Sequence, residues 1–297
     1  MNFCEAPTAA AVEKYIRGIL RAHPCSKAFT AGKSVLGRKI SVLTLGEARR
    51  GTLFAGATHG SEWLTVPVLL RFFEELCSSF EHGGRFFGID AQSAVLKRGV
   101  AVLPVLNPDG VEINLRGAAA APSCTKRLMR LSGGDFAHWN ANAAGVDINH
   151  NFGAGWEKLQ QAEHAAGIYG PAPRQYGGPR PFSEPETRAA CGVCSTLDVA
   201  RLYSLHSQGE EIYWYYGVRT PILSRDIAHE LAEISGYAVA NPCGMAANGG
   251  FKDWFIESFG RPGFTLEIGR GQNPLPLTDF DSVYEKIAPA LAAALEL

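Results

Sequence analysis

Between Thr8 and Ala22 the apolar positions Val12, Tyr15, Ile16, Ile19 and Leu20 form one helical stripe, and His23-Pro24 follows where a helix stops. This pattern predicts an opening amphipathic helix. Short apolar runs come next at 40–45 (ISVLTL), 52–57 (TLFAGA) and 100–106 (VAVLPVL), with a helical pattern at 63–77 between the last two. Strand, helix and strand in that rhythm predict an open mixed or parallel sheet covered by helices. From Asn107 to Gly178 the chain is rich in Gly, Ala, Pro and Asn and has little periodicity, so this stretch is expected to be irregular and to wall a functional site. Ser183-Glu-Pro-Glu186 reads as a capping box, with Ser183 at the N-cap of a helix reaching about Leu197. A strand then ends on His206. A helix around 221–235, a glycine-rich loop at 244–250, an apolar strand leading into FTLEIG at 264–269, and a last helix from about Phe280, kinked or interrupted near Pro289, complete the chain. No repeat or linker divides it, so the expectation is one α/β domain over residues 1–297.

Composition narrows the function classes. Apolar residues make up 46% and charged residues 19%, the balance of a folded domain rather than a disordered chain. A net charge of −1 with Lys and Arg scattered singly gives no electrostatic footprint for nucleic acid or an anionic membrane. No basic start with an apolar run marks an export signal, and no run of about eighteen apolar residues marks a membrane span. A soluble, cytoplasmic protein is expected. Seven cysteines, an odd number spread from Cys4 to Cys243, fit a reducing compartment better than a disulfide framework. Cys191 and Cys194 fall inside a predicted helix and are expected to pack in the core. His82, His138, His164 and His229 have no partner motif and read as surface or structural residues.

The chemistry gathers at strand ends. His59 and Glu62, in ATHGSEW, follow the strand at 52–57 and precede the helix at 63, a turn that can aim an imidazole nitrogen and a carboxylate oxygen at one ion. On its own this spacing is common and equally suits a helix cap. His206 closes the strand ARLYSLH, and in open α/β sheets sites gather outside the carboxyl ends of strands. Two His and one Glu leave a fourth position for water, the ligand set of a hydrolytic rather than a structural zinc site.

Several motifs occur in a fixed order: HGSE, NPDG at 107–110, GVDINHNF at 145–152, LHSQGEEIYW at 205–214, KDWF at 252–255 and PGFTLEIG at 262–269. Together they resemble the zinc carboxypeptidase family across nearly the whole chain. Within it, HSQGEEIYW, PAPRQYGGPRPFSEPE at 171–186 and GFTLEIGRGQNPLPL at 263–277 are most similar to bacterial γ-D-glutamyl-meso-diaminopimelate peptidases, which cleave peptidoglycan stem peptides. The resemblance implies a mixed, about eight-stranded sheet flanked by helices. It also implies one zinc ion on His59, Glu62 and His206, with Glu267 as general base. Glu267 lies in an apolar strand, where partial burial should raise its pKa.

The chain departs from the family pattern in three places. Asn149 matches the family's carboxylate-holding asparagine, but its usual arginine neighbour is replaced by His150, which has no bidentate fork. Met245 falls where the family has a mobile tyrosine, with Tyr237 or Tyr215 as conjectural substitutes. The loop before Gly145 has no arginine for the tetrahedral oxyanion, leaving Arg127 and Arg130 as candidates. Lys252 stands at the position that often faces the side chain beside the cleaved bond, where it would favour an acidic group; an ordinary solvated lysine is the alternative. The leading expectation is hydrolysis of the γ-D-glutamyl-diaminopimelate bond in a stem peptide, with no nucleic-acid or membrane partner. A generic metallocarboxypeptidase, an N-acyl amino acid amidohydrolase and a non-catalytic cell-wall peptide binder are the competing readings.

Overall fold

The structure is a computed structural model that describes residues 5–297; Cys4 lies outside the described residues. In chain order come helix α1 (Ala9–Ala22), strands β1 (Ser26–Lys33), β2 (Lys39–Leu45) and β3 (Thr52–Ala55), helix α2 (Thr65–His82), short strands β4 (Arg85–Phe86) and β5 (Ile89–Asp90), helix α3 (Ala91–Lys97), strand β6 (Val100–Leu103) and helix α4 (Pro108–Arg116). Helices α5 (Thr125–Ser132), α6 (Trp156–Ala165) and α7 (Pro185–Thr196) follow, then strands β7 (Arg201–His206) and β8 (Glu211–Tyr213). Helix α8 (Leu223–Ser235), strand β9 (Ala238–Ala240), helix α9 (Phe251–Phe259), strand β10 (Gly263–Glu267) and helix α10 (Phe280–Ala293) complete the chain.

Eight strands make one mixed sheet in the order β1-β2-β6-β3-β7-β10-β8-β9. Its middle, β6-β3-β7-β10, is parallel throughout, and antiparallel β2 and β8 flank it. Parallel strands are covered on both faces, so they need apolar residues at successive positions rather than in alternation. Accordingly β3, β6 and β7 are buried at every residue. Period two survives as a division of faces. Phe54, Val100, Val102 and Tyr203 join the core with α2, α8 and α10, while Leu53, Ala101, Leu103 and Leu202 join the core with α7 and α9.

Three aromatic rings pin the strands that carry the functional residues. Tyr203 of β7 stacks on Phe54 of β3 at 5.3 Å and on Phe264 of β10 at 4.9 Å, each pair being directly opposite in register. Such pairs contribute about 0.5–1.5 kcal/mol each beyond their burial. The same registers bring His206 beside Glu267 at the carboxyl ends of neighbouring strands.

The α/β expectation holds, with differences in detail. The stretch 107–178 contains α4, α5 and α6, helices of only 9, 8 and 10 residues, too short to show an apolar period against the Gly- and Ala-rich loops between them. Ser183 is not the helix cap. Pro185 fits the first helical position, where a missing N–H costs nothing, so Glu184 becomes the N-cap residue and makes no side-chain cap bond. Ser183 Oγ donates instead to Glu184, and Glu186 turns away to accept from Val35 N–H at 3.1 Å and Asn142 Nδ2 at 3.1 Å. Pro289 does not interrupt α10. Edge strand β1 (SKAFTAGK) has no apolar alternation and is held by its ladder to β2. Cys194 is buried in the core and Cys191 packs against it, as expected, with burial pushing the Cys191 thiol up to about 12. Among the described residues no helix is long and apolar enough to cross a membrane.

Glu186 carries a stability consequence. Burial, reinforced by the nearby Asp109 charge, pushes its carboxyl up to about 7. A folded pKa raised above the unfolded value means that stability is fully present at low pH and lost as pH rises from the ordinary carboxylate range toward 7, by at most about 3 kcal/mol. Glu186→Gln, which mimics the protonated acid, is therefore expected to shift Tm relative to wild type by about 5 °C more favourably at pH 8 than at pH 5. A Tm difference independent of pH would contradict this.

Candidate active site

The turn after β3 is built to present His59 and Glu62. Gly60 has no space for a side chain: a Cβ there would lie 2.4 Å from the Gly110 carbonyl oxygen. Asn107 braces the same turn. Its Oδ1 accepts from Gly110 N–H at the start of α4, and its Nδ2 donates to the carbonyls of Thr58 and Asn140, each at 3.1 Å. Thr65 Oγ1 donates to the Glu62 carbonyl at 2.8 Å and accepts from Ala57 N–H at 2.9 Å. The NPDG motif thus serves the position of His59 rather than the chemistry.

Three side chains converge there. His59 Nδ1 lies 2.7 Å from Glu62 Oε1, His206 Nδ1 lies 2.9 Å from Glu62 Oε2, and the two ring nitrogens face each other at 3.3 Å. Four ligands held tetrahedrally at zinc's 2.0–2.1 Å bond lengths stand about 3.3 Å apart, so this donor set fits such an ion. The electrostatics agree with a cation site. Burial alone would lower the His59 pKa, yet the charges of Glu62 and Asp147 outweigh it and hold it well above the usual value. Burial likewise opposes ionisation of Glu62, but His59 and His206 bring its carboxyl down to about 2.

Asp147 was not among the residues expected from the sequence. Its Oδ1 sits 3.1 Å from His59 Nε2 and also accepts from Asn149 N–H at 3.1 Å, while Oδ2 accepts from Gln175 N–H at 2.8 Å. Burial works against its charge, and the charges of His59 and His150 with these hydrogen bonds hold it far below the ordinary carboxylate range. A carboxylate behind a ligand histidine fixes the ring's tautomer and orientation. The signal available in the sequence was the GVD run just before Asn149.

Glu267 faces the same cleft from the end of β10, with Thr265 two residues earlier on the same strand face. Burial and then the Glu62 charge raise its pKa well above the ordinary carboxylate range, with Glu211 adding and His59 partly opposing. Asn149, His150, Met245 and Lys252 all line this cleft with His59, Glu62 and His206. Asn149 Oδ1 accepts from Phe251 N–H at 3.0 Å, which leaves its Nδ2 for a ligand. His150 Nδ1 lies 2.8 Å from the buried Glu163 carboxylate. Lys252 is no solvated surface residue. It is 4% exposed, pairs with Asp253, and donates to the Tyr215 carbonyl at 3.0 Å.

Other expected positions fall elsewhere. Arg127 and Arg130 line a separate cavity with Leu131 and Ile168–Ala172, where α5 carries them away from the cleft, and Arg127 donates to the Ala143 carbonyl. Asn140 and Arg174 do line the cleft from this part of the chain, beside Asp147, Asn149, His150 and Gln175. Asn140 Oδ1 accepts from Ser61 Oγ at 2.5 Å, leaving Nδ2 free to donate. Neither Tyr237 nor Tyr215 lines the cleft; Tyr213 does, with its hydroxyl donating to Glu211 at 2.5 Å. His82, His138, His164 and His229 are exposed.

The chain is similar to known proteins along nearly its whole length. The zinc carboxypeptidase family profile matches residues 12–290. Uncharacterized protein YqgT of Bacillus subtilis is 35% identical over 96% of this chain and 76% of its own length. Gamma-D-glutamyl-L-diamino acid endopeptidase 1 of Lysinibacillus sphaericus is 31% identical over 95% of this chain and 70% of its own length. In structure, carboxypeptidase A of Helicoverpa armigera superposes with a TM-score of 0.74 over 99% of this chain and 73% of that one, at 21% identity. The chain belongs to the zinc carboxypeptidase family.

Proposed function

We propose that this chain hydrolyses the amide bond between a γ-D-glutamyl residue and diaminopimelate in peptidoglycan stem peptides, with one zinc ion on His59, Glu62 and His206. The observation that carries the reading is the buried Lys252–Asp253 pair, set in the same cleft as Glu267. A pocket end that offers one cation and one anion complements a side chain ending in an amino acid head, with both carboxylate and ammonium. Diaminopimelate has such an end; ordinary protein side chains do not. The name of the Lysinibacillus relative supports the same bond class.

When bound, zinc supplies Lewis acidity for a carbonyl and a water. The residues of the chain do the rest. Glu267, whose environment favours holding a proton, takes one from the attacking water and returns it to the leaving amine. Asn140 Nδ2 is the donor placed for the oxyanion, in the role the sequence left to Arg127 or Arg130. Asn149 Nδ2 and the His150 ring, held by Glu163, orient the diamino acid's main chain. Lys252 and Asp253 hold its far end.

Three outcomes test this reading. L-Ala-γ-D-Glu-meso-diaminopimelate incubated with the zinc-loaded protein is expected to release free diaminopimelate by mass spectrometry, and Glu267→Gln is expected to stop it; tight binding without release favours a peptide binder instead. Lys252→Met should raise KM at least about tenfold for this peptide, and about tenfold less for an analogue with a neutral side chain. Equal changes on both count against the pocket assignment. Asp147→Asn should weaken zinc affinity about 10–100-fold in competition with a chelator, and unchanged affinity removes Asp147 from the account.

A further inference from the structure

Two chambers meet beside the metal ligands. The first holds Glu267, Asn149, His150 and Lys252; the second is lined by Ser61, His138, Ser207, Gln208, Gln272 and Asn273, and Glu62, Asn140 and Arg174 border both. Apart from Glu62, the second chamber has no carboxylate.

Charges across the two chambers pair off almost completely. Glu62 lies between two imidazoles, Asp147 stands behind His59, Glu163 holds His150, and Asp253 holds Lys252. Glu267 and Arg174 are the exceptions, and Arg174 is the cation of the two. It is exposed at the junction and, among the described residues, is the cation of the cleft with no hydrogen bond or ion pair. An unpaired guanidinium in a chamber of hydroxyls and amides is a site for a carboxylate, which it can take bidentately.

The position gives that carboxylate an identity. With the diamino acid in the first chamber, the acyl half of the substrate extends into the second. A γ-linked glutamyl residue keeps its α-carboxylate free on the acyl side, three carbons from the scissile carbonyl, on the carbon that also carries the amide to the preceding residue. We propose that Arg174 is a specificity residue that reads this free α-carboxylate and so selects γ-glutamyl peptides over those in which the same carboxylate is amidated. This inference rests on the bond assignment above and extends it to the acyl side.

The test uses the zinc-loaded full chain and two peptides: L-Ala-γ-D-Glu-meso-diaminopimelate, and the same peptide with the glutamyl α-carboxylate converted to an amide. Wild type is expected to prefer the free acid at least tenfold in kcat/KM. Arg174→Gln should raise KM for the acid at least tenfold, affect the amide about tenfold less, and so erase the preference, with Arg174→Lys restoring part of it. Equal losses of kcat on both peptides overturn the proposal and give Arg174 a role in the reaction itself. A preference that survives in Arg174→Gln also overturns it. Failure of wild type to cleave either peptide overturns the bond assignment and this inference with it, an outcome distinct from the other two.

Discussion

The Glu62 carboxylate joins two parts of the chain that are far apart in sequence. One oxygen meets His59 on the turn after β3, and the other meets His206 at the end of β7 and accepts from Ser207 N–H at 3.3 Å. A buried carboxylate is costly unless its charge is balanced, so Glu62 in this position requires both imidazoles and a positive charge among them. Strand order makes the meeting possible. Because β3, β7 and β10 are adjacent and parallel, their carboxyl ends open on one side of the sheet and bring the histidines and Glu267 together.

Around that point the cleft is a set of paired charges with differing degrees of commitment. Asp147, Glu163 and Asp253 each hold a neighbouring side chain, His59, His150 and Lys252, in a fixed orientation. Fixed pairs of this kind pre-organise a polar site, since little rearrangement is needed when substrate arrives. Glu267 and Arg174 are the carboxyl and guanidinium groups of the cleft left without an ion pair, one on each side of the position where a scissile bond lies in the proposed reading.

Much of this was legible in the residues, for definite physical reasons. Buried parallel strands need continuous apolar runs, so β3, β6 and β7 stood out, and residues at their carboxyl ends pointed to His59 and His206. Strand β1 was hidden because an edge strand held by backbone bonds leaves no apolar signature. Asp147 and Glu163 were hidden because they act on histidines far away in sequence, at separations of 88 and 13 residues. Arg127 and Arg130 were misplaced because proximity along the chain stood in for proximity in space, and α5 turns them into another cavity. Lys252 lines the cleft, and its pairing with Asp253 could be recognised only once burial was known.

The central claim is that His59, Glu62 and His206 hold a single zinc ion with an open position. X-ray absorption spectroscopy on the zinc-reconstituted protein, with metal content measured on the same sample, tests it most directly. The account requires one zinc per chain and a shell of only nitrogen and oxygen scatterers at about 2.0–2.1 Å, two of them imidazole. No retained zinc, or sulfur scattering near about 2.3 Å from the chain's cysteines, would contradict it.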